Sequence, residues 1–93
     1  LGCTPDYFHK WIQWQLPSEI SWKETRENYH IDHVRPLKSF NFIENPNDAY
    51  IAFNWRNCRP LLKLKNQQKG AKIDCFAEVM QELKVKIYLS VMH

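Results

Sequence analysis

Three polar groups in this chain carry side chains that could act together on a phosphate ester: the stretch 30–33 (HIDH), Asn57 and Asn66. Hydrolysis of a phosphodiester near neutral pH needs a base, and histidine is the side chain whose unperturbed pKa suits that task. It also needs a cation to neutralise charge on the phosphate, and a hard cation such as Mg²⁺ prefers carboxylate and amide oxygens. Asp32 and Asn66 could supply those oxygens, and a histidine beside Asp32 could supply the base.

Residues 29–34 alternate between apolar and polar types, which predicts a short β-strand. Its expected buried positions are Tyr29, Ile31 and Val34. Pro36 has no backbone N–H to donate and is expected to end the strand. Successive side chains on a strand point to opposite faces, so His30 and Asp32 should share a face, and His33 joins them only if the strand ends or bends there. The residues alone therefore leave open whether His30 or His33 is the base.

Helices are predicted on both sides of this strand, because apolar residues recur there at helical spacing. Residues 5–16 should form one helix, with Thr4 as its N-cap. A second should run from about 61 to 69 and stop at Gly70, and Asp74 could cap a C-terminal helix. Alternation in the C-terminal tail also permits a strand there, although helix is favoured.

The remaining segments are expected to be less regular. Residues 17–28 are predicted to be a loop with one aromatic anchor, Trp22, and residues 38–47 a second loop. Residues 45–48 can open a short helix, and 57–60 are expected to be extended. Together these elements predict a small α+β fold.

The length of 93 residues suits one small domain, and hydrophobic residues at 44% of the chain are enough for it to fold around a core. No apolar run approaches the roughly 18 residues that a membrane span needs, so no membrane partner is expected. The chain begins at Leu1 without a methionine, which suits a domain excised from a larger protein. Its oligomeric state is not indicated.

The three cysteines form no CxxC pair and are odd in number, which argues against a disulfide framework and a zinc ribbon. The plain interpretation is three reduced, partly buried thiols in a reducing intracellular compartment, such as the cytoplasm or nucleus of a host cell. Their positions are Cys3, Cys58 and Cys75.

The net charge of +3 is only a weak indication of nucleic-acid binding, but the basic residues are clustered. The segment 56–72 contains no Asp or Glu and six basic side chains: Arg56, Arg59, Lys63, Lys65, Lys69 and Lys72. This distribution predicts one basic face. Charge alone is equally compatible with a solvated helix face that binds nothing.

Three motifs, in this order, resemble those of HNH (His-Me finger) endonuclease domains of the phage and large-virus type. They are residues 32–37 (DHVRPL), 53–61 (FNWRNCRPL) and 66–70 (NQQKG). Each motif is weak alone, but all three occur with the expected loop lengths, and the resemblance covers most of residues 1–74. It implies a small ββα-metal core at about 29–70, flanked by an N-terminal and a C-terminal helix in a single domain over 1–93. A virus or phage origin would suit it.

The resemblance also implies a role for each matched residue. Asp32 and Asn66 would bind one divalent metal ion, Mg²⁺ or Mn²⁺, and His33 would be the general base. Asn57 would hold the loop between the strands and orient His33, as residues behind an active-site imidazole do. Asn66 stands where many members have histidine, and the motif does not fix the role of His30.

The implied activity is hydrolysis of DNA phosphodiester bonds to 5′-phosphate and 3′-hydroxyl ends. The expected nucleic-acid contacts are His30, Arg35, Arg59, Lys63, Lys65 and Lys69. The pattern does not separate DNA from RNA, and target specificity is expected from another domain or partner outside this chain. The competing hypotheses are a non-catalytic nucleic-acid-binding module with the same fold and a structural interaction domain.

Overall fold

The computed structural model describes residues 1–92 as an assembly of helices around one two-stranded antiparallel sheet, which confirms the α+β class. Its elements are α1 (Pro5–Trp14), α2 (Trp22–Asn28), β1 (Tyr29–His33), α3 (Asp48–Ala52), β2 (Cys58–Leu62), α4 (Lys63–Lys69) and α5 (Cys75–Met92). Two 3₁₀ turns, Leu37–Ser39 and Trp55–Asn57, lie between the strands. No helix within residues 1–92 is long and apolar enough to cross a membrane.

The two strands form an antiparallel pair joined by a long connection, and their register brings the two ends of that connection together. Tyr29 pairs with Leu62 at one end, and His33 pairs with Cys58 at the other. Helix α4 begins directly after β2 and contacts both strands. The strand predicted at 29–34 is confirmed as β1, and the extended stretch predicted at 57–60 lies mostly in β2. Because β2 continues to Leu62, the helix expected from about 61 begins only at Lys63.

The predicted helix ends are set by local hydrogen bonds. The Thr4 hydroxyl accepts from the backbone N–H of Tyr7 at 3.1 Å, and Asp74 Oδ1 accepts from that of Ala77 at 3.0 Å, so both predicted caps are confirmed. Gly70, with φ of 57°, ends α4 in a conformation that favours glycine. The C-terminal tail is helical as far as Met92, so the alternative of a strand there was wrong.

The prediction of a loop over residues 17–28 was wrong in its second half, where α2 forms. Ser21 caps this helix by accepting from the backbone N–H of Glu24 at 3.1 Å. A serine followed three residues later by a glutamate is a helix-start signal that the sequence did carry. The buried Thr25 hydroxyl donates to Gln13 Oε1 at 2.8 Å and so ties α2 to α1.

The burial expected along β1 was wrong at Ile31, which is 42% exposed, whereas the neighbouring Asp32 is only 7% exposed. Helix α4 covers the face that carries Asp32, since its Asn66 and Lys69 contact His30 and Asp32. Val34, just after the strand, is buried as predicted, and Tyr29 is half-buried. The polar face of β1 is therefore its enclosed face.

An aromatic core joins α1, α5 and the start of β2; its buried residues are Trp11, Ile12, Trp55, Cys58, Val85 and Tyr88. The ring centroid of Trp11 lies 5.1 Å from that of Trp55 and 5.0 Å from that of Tyr88, both edge to face. The carbonyl of Cys58 accepts from Trp11 Nε1 at 3.0 Å and from Gln81 Nε2 at 3.0 Å. The core thus fixes the first residue of β2 by both packing and hydrogen bonds.

Within residues 1–92 the three cysteines are free, but they differ in exposure. Cys58 is buried, and burial raises the pKa of its thiol to about 11, so it stays protonated at neutral pH. Cys75 is exposed, so the expectation that all three thiols are partly buried was wrong there: it begins α5 outside the core.

Candidate active site

One face of the β1–β2 hairpin carries several of the polar and basic residues that the sequence singled out. His30 and Asp32 lie on that face of β1, and Asp32 is directly opposite Arg59 on β2. Helix α4 crosses the same face and presents Asn66 and Lys69, three residues apart and so neighbours on one side of a helix. We call this set the charged face: His30, Asp32, Arg59, Asn66 and Lys69.

Asp32 is the centre of the charged face. Its Oδ2 accepts from Arg59 Nε at 2.9 Å, and Lys69 Nζ donates to Oδ1 at 2.8 Å and to Oδ2 at 3.0 Å. The Lys69 ammonium also donates to the main-chain carbonyl of His33 at 2.8 Å. Two cations therefore hold one enclosed carboxylate, which compensates for its removal from water.

Asn66 contacts His30 rather than Asp32. Its Nδ2 lies 3.0 Å from His30 Nδ1, and because an amide NH₂ can only donate, the imidazole nitrogen accepts. A neutral His30 then carries its proton on Nε2. Within residues 1–92, no hydrogen bond engages Asn66 Oδ1, so the amide oxygen proposed as a ligand is available.

His33 stands at the last position of β1, where the strand ends. Its ring meets Phe53 edge to face, with centroids 6.0 Å apart and planes at 85°. Burial lowers the pKa of His33 below its ordinary 6.5; the charge of Asp32 raises it, and that of Lys69 lowers it further. At neutral pH the imidazole is therefore neutral and able to accept a proton.

Asn57 fastens the chain that follows β1 to the turn before β2. Its Oδ1 accepts from the backbone N–H of Arg35 at 2.8 Å, and its Nδ2 donates to the carbonyls of Arg35 at 3.1 Å and Ala52 at 3.0 Å. Its own carbonyl accepts from the N–H of Val34 at 2.8 Å. These bonds fix the backbone immediately after His33, while a catalytic role for Asn57 stays a prediction.

The six predicted nucleic-acid contacts lie in three settings. Lys63 and Lys65 are exposed on α4. The Arg35 guanidinium lies 3.8 Å from the centroid of the Phe40 ring and donates from Nε to Ser39. Arg59 and Lys69 are paired with Asp32, and His30 with Asn66. Sequence reasoning missed the pairing with Asp32, because Asp32 and Arg59 meet only through the register of the sheet.

The donor atoms fit a small hard cation in their chemistry. Within residues 1–92 there is no group of three or more His, Cys, Asp or Glu side chains suited to a metal, but the predicted pair, Asp32 and Asn66, contains only one such residue. The Lys69 ammonium marks a place where a cation meets three oxygens, two from Asp32 and one from the His33 carbonyl. Carboxylate, carbonyl and amide oxygens are the ligands that Mg²⁺ accepts.

Comparison with known proteins finds two relatives, both in Acanthamoeba polyphaga mimivirus. The chain is 40% identical to uncharacterized protein L426 over 73 residues, which is 78% of this chain and 32% of the relative. It is 30% identical to uncharacterized protein L246 over 66 residues, 71% of this chain and 29% of the relative. The chain thus spans about a third of the length of the relatives it matches. Their giant-virus origin agrees with the expected viral origin.

No family model matches the chain, and no solved structure matches it.

Proposed function

We propose that this chain is the catalytic module of a metal-dependent HNH endonuclease, with β1, β2 and α4 as its ββα-metal core. The observation that supports this best is that one hairpin and the helix directly after it carry all three residues: Asp32 on β1, His33 with its lowered pKa at the end of β1, and Asn66 on α4. The proposed reaction is hydrolysis of a DNA phosphodiester to 5′-phosphate and 3′-hydroxyl ends.

His33 is the proposed general base. A half-buried imidazole with a lowered pKa is unprotonated at neutral pH and can take a proton from the attacking water. Phe53 restricts the ring on one side, and the Asn57 hydrogen bonds hold the backbone that follows it. Asn57 is therefore a positioning residue in this proposal, since it contacts backbone rather than the reacting atoms.

Asp32 and Asn66 would hold one Mg²⁺ or Mn²⁺ ion, which supplies positive charge to the phosphate and its leaving oxygen. His30 is held in one orientation by Asn66, with a proton on Nε2 that could be donated to a phosphate oxygen. That would give His30 a binding role and leave the base function to His33.

DNA binding is assigned first to the exposed lysines of α4, Lys63 and Lys65, and to Arg35 beside the loop that Asn57 holds. Arg59 donates to Asp32 through Nε, and within residues 1–92 its other guanidinium nitrogens have no hydrogen-bond partner and so remain available to a phosphate. Such contacts read the backbone and not the sequence, so specificity would come from elsewhere in a longer protein or from a partner.

The test is cleavage of supercoiled plasmid with Mg²⁺ or Mn²⁺. His33→Ala should lower the rate by about 10²-fold or more, the range attributed to a positioned general base. His9→Ala is the matched control, because the His9 ring on α1 contacts the Trp22 ring of α2, with centroids 3.9 Å apart, and no residue of the charged face belongs to either helix. Undiminished cutting by His33→Ala would exclude the mechanism.

The alternative is a non-catalytic nucleic-acid-binding module with the same fold. One observation favours it: both oxygens of Asp32 are engaged by Arg59 and Lys69. Such a module would shift DNA in a salt-dependent manner, never cleave it, and gain no thermal stability from Mg²⁺ or Mn²⁺.

A further inference from the structure

Lys69 lies in an unusually complete oxygen cradle for a lysine on a small domain. Its ammonium donates to Asp32 Oδ1 at 2.8 Å, to Asp32 Oδ2 at 3.0 Å and to the His33 carbonyl at 2.8 Å, so all three of its N–H donors have partners. Its side chain is 11% exposed. This is a cation site built from three hard oxygens and filled by the chain itself.

We propose that Lys69 is the resident cation of the Asp32 site, and that a divalent metal ion binds there only by displacing its ammonium. The inference rests on the proposed function, since it takes Asp32 as a metal ligand. It adds the carbonyl oxygen of His33 as a further oxygen at the site. It also explains how the enclosed carboxylate stays compensated while no metal is bound.

The two cations on Asp32 differ in how easily they can leave. Arg59 is directly opposite Asp32 in the hairpin, so the sheet itself holds it in place. Lys69 is the last residue of α4, and it is followed by Gly70, where an added Cβ would meet no atom within 4 Å beyond the adjoining residues of the chain. A long flexible side chain at an open helix end can swing aside without disturbing β1 or β2.

Displacement would also change what the site offers to DNA. The ammonium that leaves Asp32 remains on α4, on the same side as the charged face, and is then free to approach a phosphate. Metal loading would therefore release a phosphate-binding group as it fills the carboxylate. Lys69 would pair with Asp32 and the His33 carbonyl in the metal-free protein, and with a DNA phosphate in the metal-loaded complex.

The first experiment measures Mn²⁺ affinity of the 93-residue chain by the electron paramagnetic resonance signal of free Mn²⁺, without DNA. Lys69→Met should bind Mn²⁺ about tenfold more tightly than the parent, which corresponds to about 1.4 kcal/mol. Lys72→Met, which removes an exposed charge three residues beyond the end of α4, should change the affinity by less than about twofold. Asp32→Asn should abolish binding.

Arg59→Met is the decisive control, because it removes an equal charge from the same carboxylate but leaves the cradle filled. An equal gain in Arg59→Met and Lys69→Met would mean that lost repulsion suffices, and it would overturn the role of Lys69. Unchanged or weaker binding by Lys69→Met would overturn it too. If the parent binds Mn²⁺ through Asp32 and needs His33 to cleave, the proposed function survives that failure. If neither the parent nor any variant binds Mn²⁺, both the proposed function and the role of Lys69 are excluded.

A second experiment needs no substitution and so does not depend on whether a variant folds. Acetylation of lysines by a soluble ester is followed by mass spectrometry with and without Mg²⁺. Lys69 should be protected in the metal-free chain and become reactive as Mg²⁺ is added, whereas Lys38, exposed near the 3₁₀ turn after β1, should react equally in both. Protection of Lys69 that Mg²⁺ leaves unchanged would contradict displacement.

Discussion

The aromatic core and the charged face lie side by side on one strand and are held together by opposite physical means. Cys58 belongs to the core and its neighbour Arg59 to the charged face. In the core, Trp11 meets several rings through many short-range contacts, so no single contact is essential. On the charged face, Asp32 depends on two particular cations. A truncation in the core should therefore lower the free energy of unfolding by removing buried volume. A substitution on the charged face should lower it by leaving a charged group without its partner.

The core side of this comparison predicts the largest loss of stability. Trp11→Ala removes a fully buried ring and its hydrogen bond to the Cys58 carbonyl, and should lower the free energy of unfolding by about 3–5 kcal/mol. Urea denaturation followed by circular dichroism measures it. Trp22→Ala, which truncates a half-buried ring at the edge of the core, should cost clearly less. Equal losses would mean that the core is not centred on Trp11.

The charged face predicts a smaller but distinct loss. Asp32→Asn keeps the side-chain shape but leaves Arg59 and Lys69 enclosed without an anion, which should lower the free energy of unfolding by about 2–3 kcal/mol. Denaturation at neutral pH measures the loss.

Asp6→Asn is the matched control for this substitution. Asp6 is also paired with a lysine, Lys10, but its side chain is 78% exposed, so that change should stay within about 0.5 kcal/mol. A neutral or stabilising effect of Asp32→Asn would show that the charged face is arranged for binding at the expense of stability, and not for both.

The two regions also differ in how far sequence could predict them. Helix ends depend on neighbours within a few residues, so local sequence patterns were sufficient to predict the caps at Thr4 and Asp74 and the end of α4 at Gly70. The partners of Asp32 lie 27 and 37 residues away and become neighbours only through the register of the sheet and the docking of α4. Alternation correctly predicted a strand but put Ile31 inside and Asp32 outside, because it cannot tell which face another element will cover.

The motif order groups Asp32, His33, Asn57 and Asn66, and their role as one site stays a prediction. The structure shows that α4, which carries Asn66, contacts both strands of the hairpin, but the individual contacts of these residues could not be predicted. Asn66 contacts His30, a residue whose role the motif left open. A pairing of this kind depends on side-chain geometry at an interface between helix and strand, about which spacing in a sequence carries little information.

The smallest expected effect concerns His33, at the boundary between the two regions, and is a pH dependence of the free energy of unfolding. The His33 ring contacts Phe53 and interacts with the charges of Asp32 and Lys69, and burial is the main cause of its lowered pKa. Since its folded pKa lies below the unfolded value of 6.5, the unfolded chain takes up a proton more readily than the folded one. The free energy of unfolding should therefore fall as pH drops through 6.5 toward the folded pKa, and level off below it. Urea denaturation at a series of pH values, compared with His33→Gln, isolates this contribution, because the two proteins differ only at that residue. If the parent loses no more stability than His33→Gln over this range, burial against Phe53 does not lower the pKa of His33. The charge of the Asp32 carboxylate would then be the stronger influence on that pKa, and His33 would belong with the charged face.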